Sequence, residues 1–386
     1  MRWEKVKLGD CCEITSSKRI FYSEYAAFGI PFYRSKEIIE RSQGKSISEP
    51  LYITNQRYDE IKCKFGTPVA GDMLLTSVGT IGIPYIVKAT DKFYFKDGNL
   101  TWFRRFTNKL YPQYLFYWIT SKEGVGVLNN VTIGSSQKAL TISALKNIEV
   151  TLPPIETQRR IADILSGYDD LIENNRKQIK LLEEAAQRLY KEWFVDLRFP
   201  GHEHTRIVDG VPEGWKNGCL SQIAEFKRGK TITKAQIKPG TIPVVAGGLE
   251  PAYYHNVANT KAPVITISAS GANAGFTRMY HTDVFASDCS FIEKNTCACL
   301  PFVYCFLINH KSELDSLQKG SAQPHVYAKD INALQLCLPN SNLLNKFCDF
   351  SKRLFLKIGL LEHQSTDLTQ ARDHLLPKLM SGEMEM

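Results

Sequence analysis

The sequence predicts an α+β chain in which two mixed, mostly β globular units alternate with two long helices as a pseudo-two-fold repeat. Three observations carry this. Short boxes of sequence recur at a constant shift, a heptad seam follows each recurrence, and β-branched and aromatic runs lie between turn residues. The 386 residues suffice for two or three domains. The 43% hydrophobic and 23% charged content is a globular balance that excludes a fibrous or disordered chain.

The repeat is clearest at its boxes. Gly134-Ser135-Ser136-Gln137 recurs as Gly320-Ser321-Ala322-Gln323. The same shift then carries Leu145 onto Ile331, Leu152-Pro153 onto Leu338-Pro339, Ile172 onto Ile358 and Leu189 onto Leu375 without a gap. Earlier positions match more loosely: Trp3, Leu8, Glu13 and Lys18 answer to Trp215, Leu220, Glu225 and Lys230. Four segments follow: a globular unit over 1–153, a long helix over 154–198, a globular unit over 199–339 and a long helix over 340–386.

Within each globular unit the strands are short runs such as Leu51-Tyr52-Ile53-Thr54 and Val264-Ile265-Thr266-Ile267, bounded by Gly, Pro, Asn and Asp. One helix per unit is expected, around Pro112–Ser121 and Pro301–Asn309, where proline fits the first turn. After Pro153-Pro154 the period changes. Ile161, Leu165, Tyr168, Ile172, Asn175, Ile179, Leu182, Ala186, Leu189 and Trp193 are spaced alternately four and three apart, a coiled-coil seam. The second seam reads Phe347, Ser351, Leu354, Ile358, Leu361, Ser365, Leu368, Arg372, Leu375 and Leu379. Pro377 is expected to kink or end it. Two such helices are expected to pair with each other as an antiparallel coiled coil. Asn175 either fixes the register of that pair or faces water near a bend.

The net charge of +8 is uneven: residues 1–154 hold +7 and residues 196–339 hold +2, while the long helices are balanced. A basic surface attracts a polyanion such as DNA, or it only keeps the chain soluble. Ten cysteines are too scattered for a disulfide scaffold. The sequence shows neither a membrane-length apolar run nor the apolar stretch of a secretory signal. A reducing, cytoplasmic setting is the expectation.

Catalytic motifs fail on inspection. Leu152-Pro153-Pro154-Ile155 lacks the polar and aromatic ends of an adenine-methylase box. Gly229-Lys230-Thr231 resembles the end of a P-loop, but Ala224 stands where its first glycine belongs. Cys297-Ala298-Cys299 and His202-Glu203-His204 are too isolated for zinc, so no metal site is expected. Arg and Lys suit phosphates and guanine edges, and Gln and Asn suit adenine edges. The candidate DNA-facing residues are therefore Lys18, Arg19, Arg104, Arg105, Lys227, Arg228 and Lys230. To these are added Gln137, Lys138, Gln323 and His325 at the two glycine turns. Gln137 and Gln323 can equally bond their own loop backbone.

Together these features resemble the specificity subunit of Type I restriction–modification systems. Leu152-Pro-Pro-Ile-Glu-Thr-Gln-Arg-Arg-Ile-Ala-Asp-Ile-Leu165 and Leu189-Tyr-Lys-Glu-Trp-Phe-Val-Asp196 look like that family's central repeat, and Leu375-Leu-Pro-Lys-Leu-Met-Ser-Gly-Glu383 like its C-terminus. The second copy departs from the usual box at His325 and Tyr327, which match Ala139 and Thr141. The resemblance implies that each globular unit is a target recognition domain for one half of a split, asymmetric DNA sequence. It implies that the helix pair is a spacer built on Ile161, Leu165, Tyr168, Ile172, Asn175, Ile179, Leu182 and Leu189 with Phe347, Leu354, Ile358, Leu361, Leu368 and Leu375. The chain itself would perform no bond chemistry and bind no cofactor. Two modification subunits would bring S-adenosylmethionine and methylate adenine N6, while restriction subunits would bring ATP, Mg and translocation. A self-sufficient DNA-modifying enzyme, and a scaffold whose basic units bind RNA or nothing, remain open on sequence grounds.

Overall fold

The computed structural model describes residues 3–45, 47–134, 138–297, 299–320 and 323–384. They form two compact units. Unit 1 is Met1–Glu173 with Asp367–Met386, and unit 2 is Asn174–Thr366. Each unit therefore holds one globular region and a stretch of each long helix, Ile155–Tyr190 and Ser341–Met380.

Unit 1 is built on a four-stranded antiparallel sheet in the order Glu13–Thr15, Leu100–Arg104, Met73–Thr76, Pro84–Ile86. Every residue of the inner strand Met73–Thr76 is buried, which explains the apolar run from Met73 to Leu75. A second sheet sets Ile30–Tyr33 beside Leu51–Ile53 and parallel to Tyr94–Phe95. Glu4–Lys7 pairs with Glu149–Leu152. Helix Pro112–Thr120 buries Tyr114, Leu115 and Trp118 in a core that also takes Ile161 and Leu165 from the first long helix and Leu379 and Met380 from the second.

Unit 2 repeats this plan. Lys227–Arg228, Cys289–Glu293, Val264–Ser268 and Thr277–Tyr280 form the four-stranded sheet. Ile242–Val245 runs parallel to Phe285–Ala286, and Lys216–Cys219 pairs with Gln335–Leu338. Tyr190 packs against Phe302, Phe347 and Phe194, so this core too is closed by both long helices.

The repeat extends to single backbone hydrogen bonds. Val78 bridges Ala139 as Ser270 bridges His325, and Ile133 bridges Ala139 as Lys319 bridges His325. The Ser77 amide donates to Asn99 O at 2.8 Å, and the Ala269 amide donates to Asp288 O at 3.2 Å. The Leu8 amide donates to Ile148 O, and the Leu220 amide to Leu334 O, both at 2.9 Å. Independent convergence on so many bonds is implausible, so the loosely matching N-terminal stretches are also copies.

Both seams are real. All twenty predicted positions, from Ile161 to Trp193 and from Phe347 to Leu379, are buried or half-buried. In unit 1, Asp169 meets Arg372 while Ile161 and Leu165 share a core with Leu379. In unit 2, Asn175 meets Ser365 while Tyr190 meets Phe347. In each unit the partners run antiparallel.

Two expectations need correction. The globular regions hold more than one helix each: Ser35–Ser42, Asn55–Phe65 and Lys122–Val131 in unit 1, and Lys311–Ser316 in unit 2. Their apolar faces are narrow; Asn55–Phe65 buries only Tyr58 and Ile61, so periodicity is faint. Their caps were the readable signal: Thr54 accepts from the Arg57 amide and Ser121 from the Gly124 amide, both at 3.1 Å. Pro377 does not end its helix, which continues to Met380. A proline so near a C-terminus deprives the ladder of one bond with few turns left to disrupt.

Candidate nucleic-acid interface

In unit 1, Lys18 and Arg19 follow the edge strand Glu13–Thr15 of the four-stranded sheet, and Arg104 and Arg105 end the neighbouring strand Leu100–Arg104 and its continuation. Arg104 and Arg105 share a carboxylate: Arg104 Nη2 lies 2.6 Å from Glu13 Oε1, and Arg105 Nη1 lies 3.1 Å from Glu13 Oε2. The Arg104 hydrogen bond, opposed by partial burial, holds the Glu13 carboxyl below its usual range. The two arginines have different situations. Arg104 also donates to Phe65 O at 3.1 Å and lies 4.3 Å from the Trp102 ring centroid, with only 16% of its side chain exposed. It is committed to the framework. Arg105 is 75% exposed and sits at φ 51, a left-handed backbone that turns its guanidinium out of the strand direction. Both line a pocket of about 470 Å³ whose wall includes Asp72 and Trp102. Burial raises the Asp72 carboxyl above the usual range, although it accepts from Trp102 Nε1 at 2.8 Å and the Val69 amide at 3.0 Å.

Lys18 Nζ lies 4.8 Å from the Phe65 ring centroid, and the Lys18 amide donates to Tyr94 Oη at 2.7 Å. Arg19 Nε lies 2.9 Å from Asp97 Oδ2 with its side chain largely exposed. Lys138 is exposed, and its carbonyl accepts from the Gly79 amide at 3.3 Å. Gln137 lies outside the described residues. Sequence reasoning missed the exposed aromatics beside Lys18 and Arg19, namely Phe21, Phe28 and Tyr22, the last 87% exposed. Their density in the stretch from Phe21 to Phe28 was the available signal.

In unit 2, Lys227 and Lys230 are exposed at an edge strand and just after it. Between them a Cβ on Gly229 would stand 2.4 Å from Ser287 O, so glycine is required for the close approach of these two segments. Arg228 pairs with the Asp288 carboxylate, whose other oxygen accepts from the Ser270 hydroxyl. Gln323 is exposed beyond Gly320, whose φ of 97 favours glycine, as does the φ of 93 at Gly134 in the first copy. His325 exchanges backbone hydrogen bonds with Lys319 at 2.8 and 2.9 Å, and its ring stacks on Tyr327 with centroids 6.1 Å apart and planes at 20°. Arg228 and His325, a hundred residues apart in order of magnitude, thus line one pocket of about 350 Å³ with Tyr327 and Lys329. Tyr327 and Lys329 were not among the predicted residues.

The arrangement suits a polyanion: half-exposed guanidinium and ammonium groups, held by carboxylates that a phosphate can replace, beside aromatic faces. Among the described residues no three His, Cys, Asp or Glu side chains gather as a metal site, and no helix is long and apolar enough to cross a membrane.

The family model for the Type I restriction modification DNA specificity domain matches residues 1–184 and again 212–369. The chain belongs to this family. Its two matches coincide with the two structural copies. The chain is accordingly a specificity subunit, the non-catalytic DNA-recognition component of a Type I restriction–modification system. It is 28% identical to the Type I restriction enzyme MjaIX specificity subunit of Methanocaldococcus jannaschii over 421 aligned positions, covering 100% of this chain and 94% of that protein. It is also 28% identical over 194 residues to a putative specificity subunit of Haemophilus influenzae, S.HindORF215P, covering 50% of this chain and 46% of that one. Among solved structures, a Type I system S subunit from M. genitalium shares the fold, with a TM-score of 0.62 at 16% identity over 98% of this chain and 96% of that chain.

Proposed function

We propose that this specificity subunit reads a bipartite, asymmetric DNA target, one half with each globular unit, and directs methylation of adenine N6 by partner subunits. One observation carries the reading: two copies of one framework, matched at the four-stranded sheet and at its backbone bridges, present unlike side chains at their exposed edges. A duplicated reader with divergent surfaces is what an asymmetric split sequence requires. Affinity from one small reader is modest, and tethering two raises the effective concentration of the second at its half-site.

The long helices, of 36 and 40 residues, act as the spacer that fixes the unread gap between the halves. Two modification subunits bind the assembly and supply S-adenosylmethionine. Adenine N6 is reached by extruding the base from the duplex, which costs a few kcal/mol of stacking and pairing. Restriction subunits add ATP- and Mg-dependent translocation and cleavage. The chain's own contribution is selection: phosphate contacts give affinity and register, and a few base contacts give about 1–3 kcal/mol of discrimination each.

The test is binding and methylation with purified components. The chain assembled with its modification subunits should select a split sequence from a pool of randomised duplexes and methylate adenine there, while the chain alone should methylate nothing. Methylation by the chain alone would instead favour a self-sufficient enzyme, and absence of any sequence preference in the full assembly would refute the reading.

A further inference from the structure

The duplicated backbone permits a comparison at matched positions, and at one site the first copy is neutral where the second is charged and aromatic. Around the pocket of unit 2 stand Arg228, Asp288, Lys319, His325, Tyr327 and Lys329. The paired strands and bridges put Ser16, Asn99, Ile133, Ala139, Thr141 and Ser143 at the same places in unit 1. The first copy is neutral throughout. The second carries three cations, one carboxylate that pairs with Arg228, and two stacked rings on the same frame.

The exchange at Tyr327 works against local stability. Thr141 caps its short helix, accepting from the Ala144 amide at 3.1 Å. Among the described residues no side chain caps the matching helix, Ala328–Asn332, because a tyrosine occupies the cap position. That tyrosine is 47% exposed, stacked on His325 on one side, with Lys319 Nζ 6.0 Å from its ring centroid. Lys319 is itself held by Asp330 at 2.7 Å. A cap has been given up for an oriented, water-facing aromatic flanked by cations, which is what contact with a nucleic acid needs and what folding does not.

We propose that Tyr327 and His325, with Lys319, Lys329 and Arg228, form a DNA-contacting platform present only in the second reader: the rings press on base or sugar faces of its half-site while the cations engage the flanking phosphates. This rests on the two-reader function proposed above. It assigns discrimination at one half-site to Tyr327, and it makes the two readers chemically unlike at this one place on their shared frame.

The experiment uses the chain assembled with its modification subunits. The wild-type assembly first selects its target from a pool of randomised duplexes. Tyr327→Thr, which installs the cap residue of the first copy, is then measured against that duplex and against duplexes altered in either half. The expected result is a melting temperature equal to or above wild type, with affinity for the selected duplex lowered about ten-fold. Discrimination should be lost in one half-site and kept in the other. Lys329→Ser, an exposed change that leaves the rings in place, should reduce the salt dependence of binding by about one phosphate contact. Unchanged affinity, discrimination and salt slope in both variants would overturn the proposal. So would loss of subunit assembly with DNA preference intact, which would make the platform a protein interface. A wild-type assembly that prefers no duplex would overturn the recognition function itself, a result distinguishable because it precedes any substitution.

Discussion

Asn175 donates through Nδ2 to Ser365 Oγ at 3.3 Å, joining the polar interruption of one heptad seam to a polar interruption of the other. The same amide also reaches Gln364 Oε1 at 3.2 Å, and Asn175 is only 4% exposed. The remaining interruptions are matched as well. Ser351 donates back to Phe347 O at 2.7 Å, and Arg372 Nη1 lies 2.5 Å from Asp169 Oδ1, whose partner oxygen accepts from Tyr117 Oη at 2.6 Å. Asn175 and Arg372 are thus positional devices, because shifting one helix against the other would bury each without its partner, whereas Ser351 is satisfied within its own helix.

Asn175→Ala should therefore destabilise unit 2 only modestly, by about 1 kcal/mol. Gln364 is exposed and regains water, and Ser365 keeps its 2.7 Å bond to Leu361 O. Chemical denaturation reads this directly. A loss several times larger would mean that the amide does more than fix register.

A larger loss is expected at Gln158. This side chain is fully buried, accepts from the Tyr111 amide at 2.9 Å, and donates to Lys109 O at 2.8 Å and Pro153 O at 2.9 Å. It ties the start of the first long helix to the loop before Pro112. Gln158→Leu keeps the volume and orphans three backbone groups, for an expected loss of about 3 kcal/mol in unit 1. The matching residue of the second copy is Leu344. Equal stability of wild type and Gln158→Leu in urea would show that water replaces all three bonds.

Glu183 gives a pH dependence with a definite sign. Burial, and then the neighbouring Glu362 charge, raise its carboxyl above the usual range, with His281 and Arg278 opposing. A raised folded pKa means that the native state holds the proton more tightly. The resulting stabilisation is present below the unfolded value near 4.5 and is lost as pH rises through the folded value. Glu183→Gln should then raise the melting temperature at pH 7 by a few degrees and change it little at pH 4. A rise of equal size at both pH values would point to packing in place of charge.

The architecture was legible because burial and repetition both leave marks in sequence. A seam such as Ile161 to Trp193 must be apolar to pair, and the Gly134 and Gly320 turns need glycine at positive φ. The small helices left fainter marks, since Asn55–Phe65 places only Tyr58 and Ile61 in the core and its readable trace was the Thr54 cap. Residue type found the basic clusters but could not rank them. Arg104 and Arg105 are adjacent, identical in type and share Glu13, yet the first is also held by Trp102 and Phe65 while the second is largely exposed. Tyr327 was visible only as a departure from Thr141, and its meaning needed the matched backbones.

The central claim is that two copies of one reader act independently on two halves of one target. It is tested most directly by mapping modified adenines in cells that carry the chain with its partners, before and after residues 1–150 are exchanged for the corresponding unit of a relative. The account expects a split sequence in which one half changes and the other half and its adenine persist. A change in both halves, or modification at an undivided sequence, would contradict it.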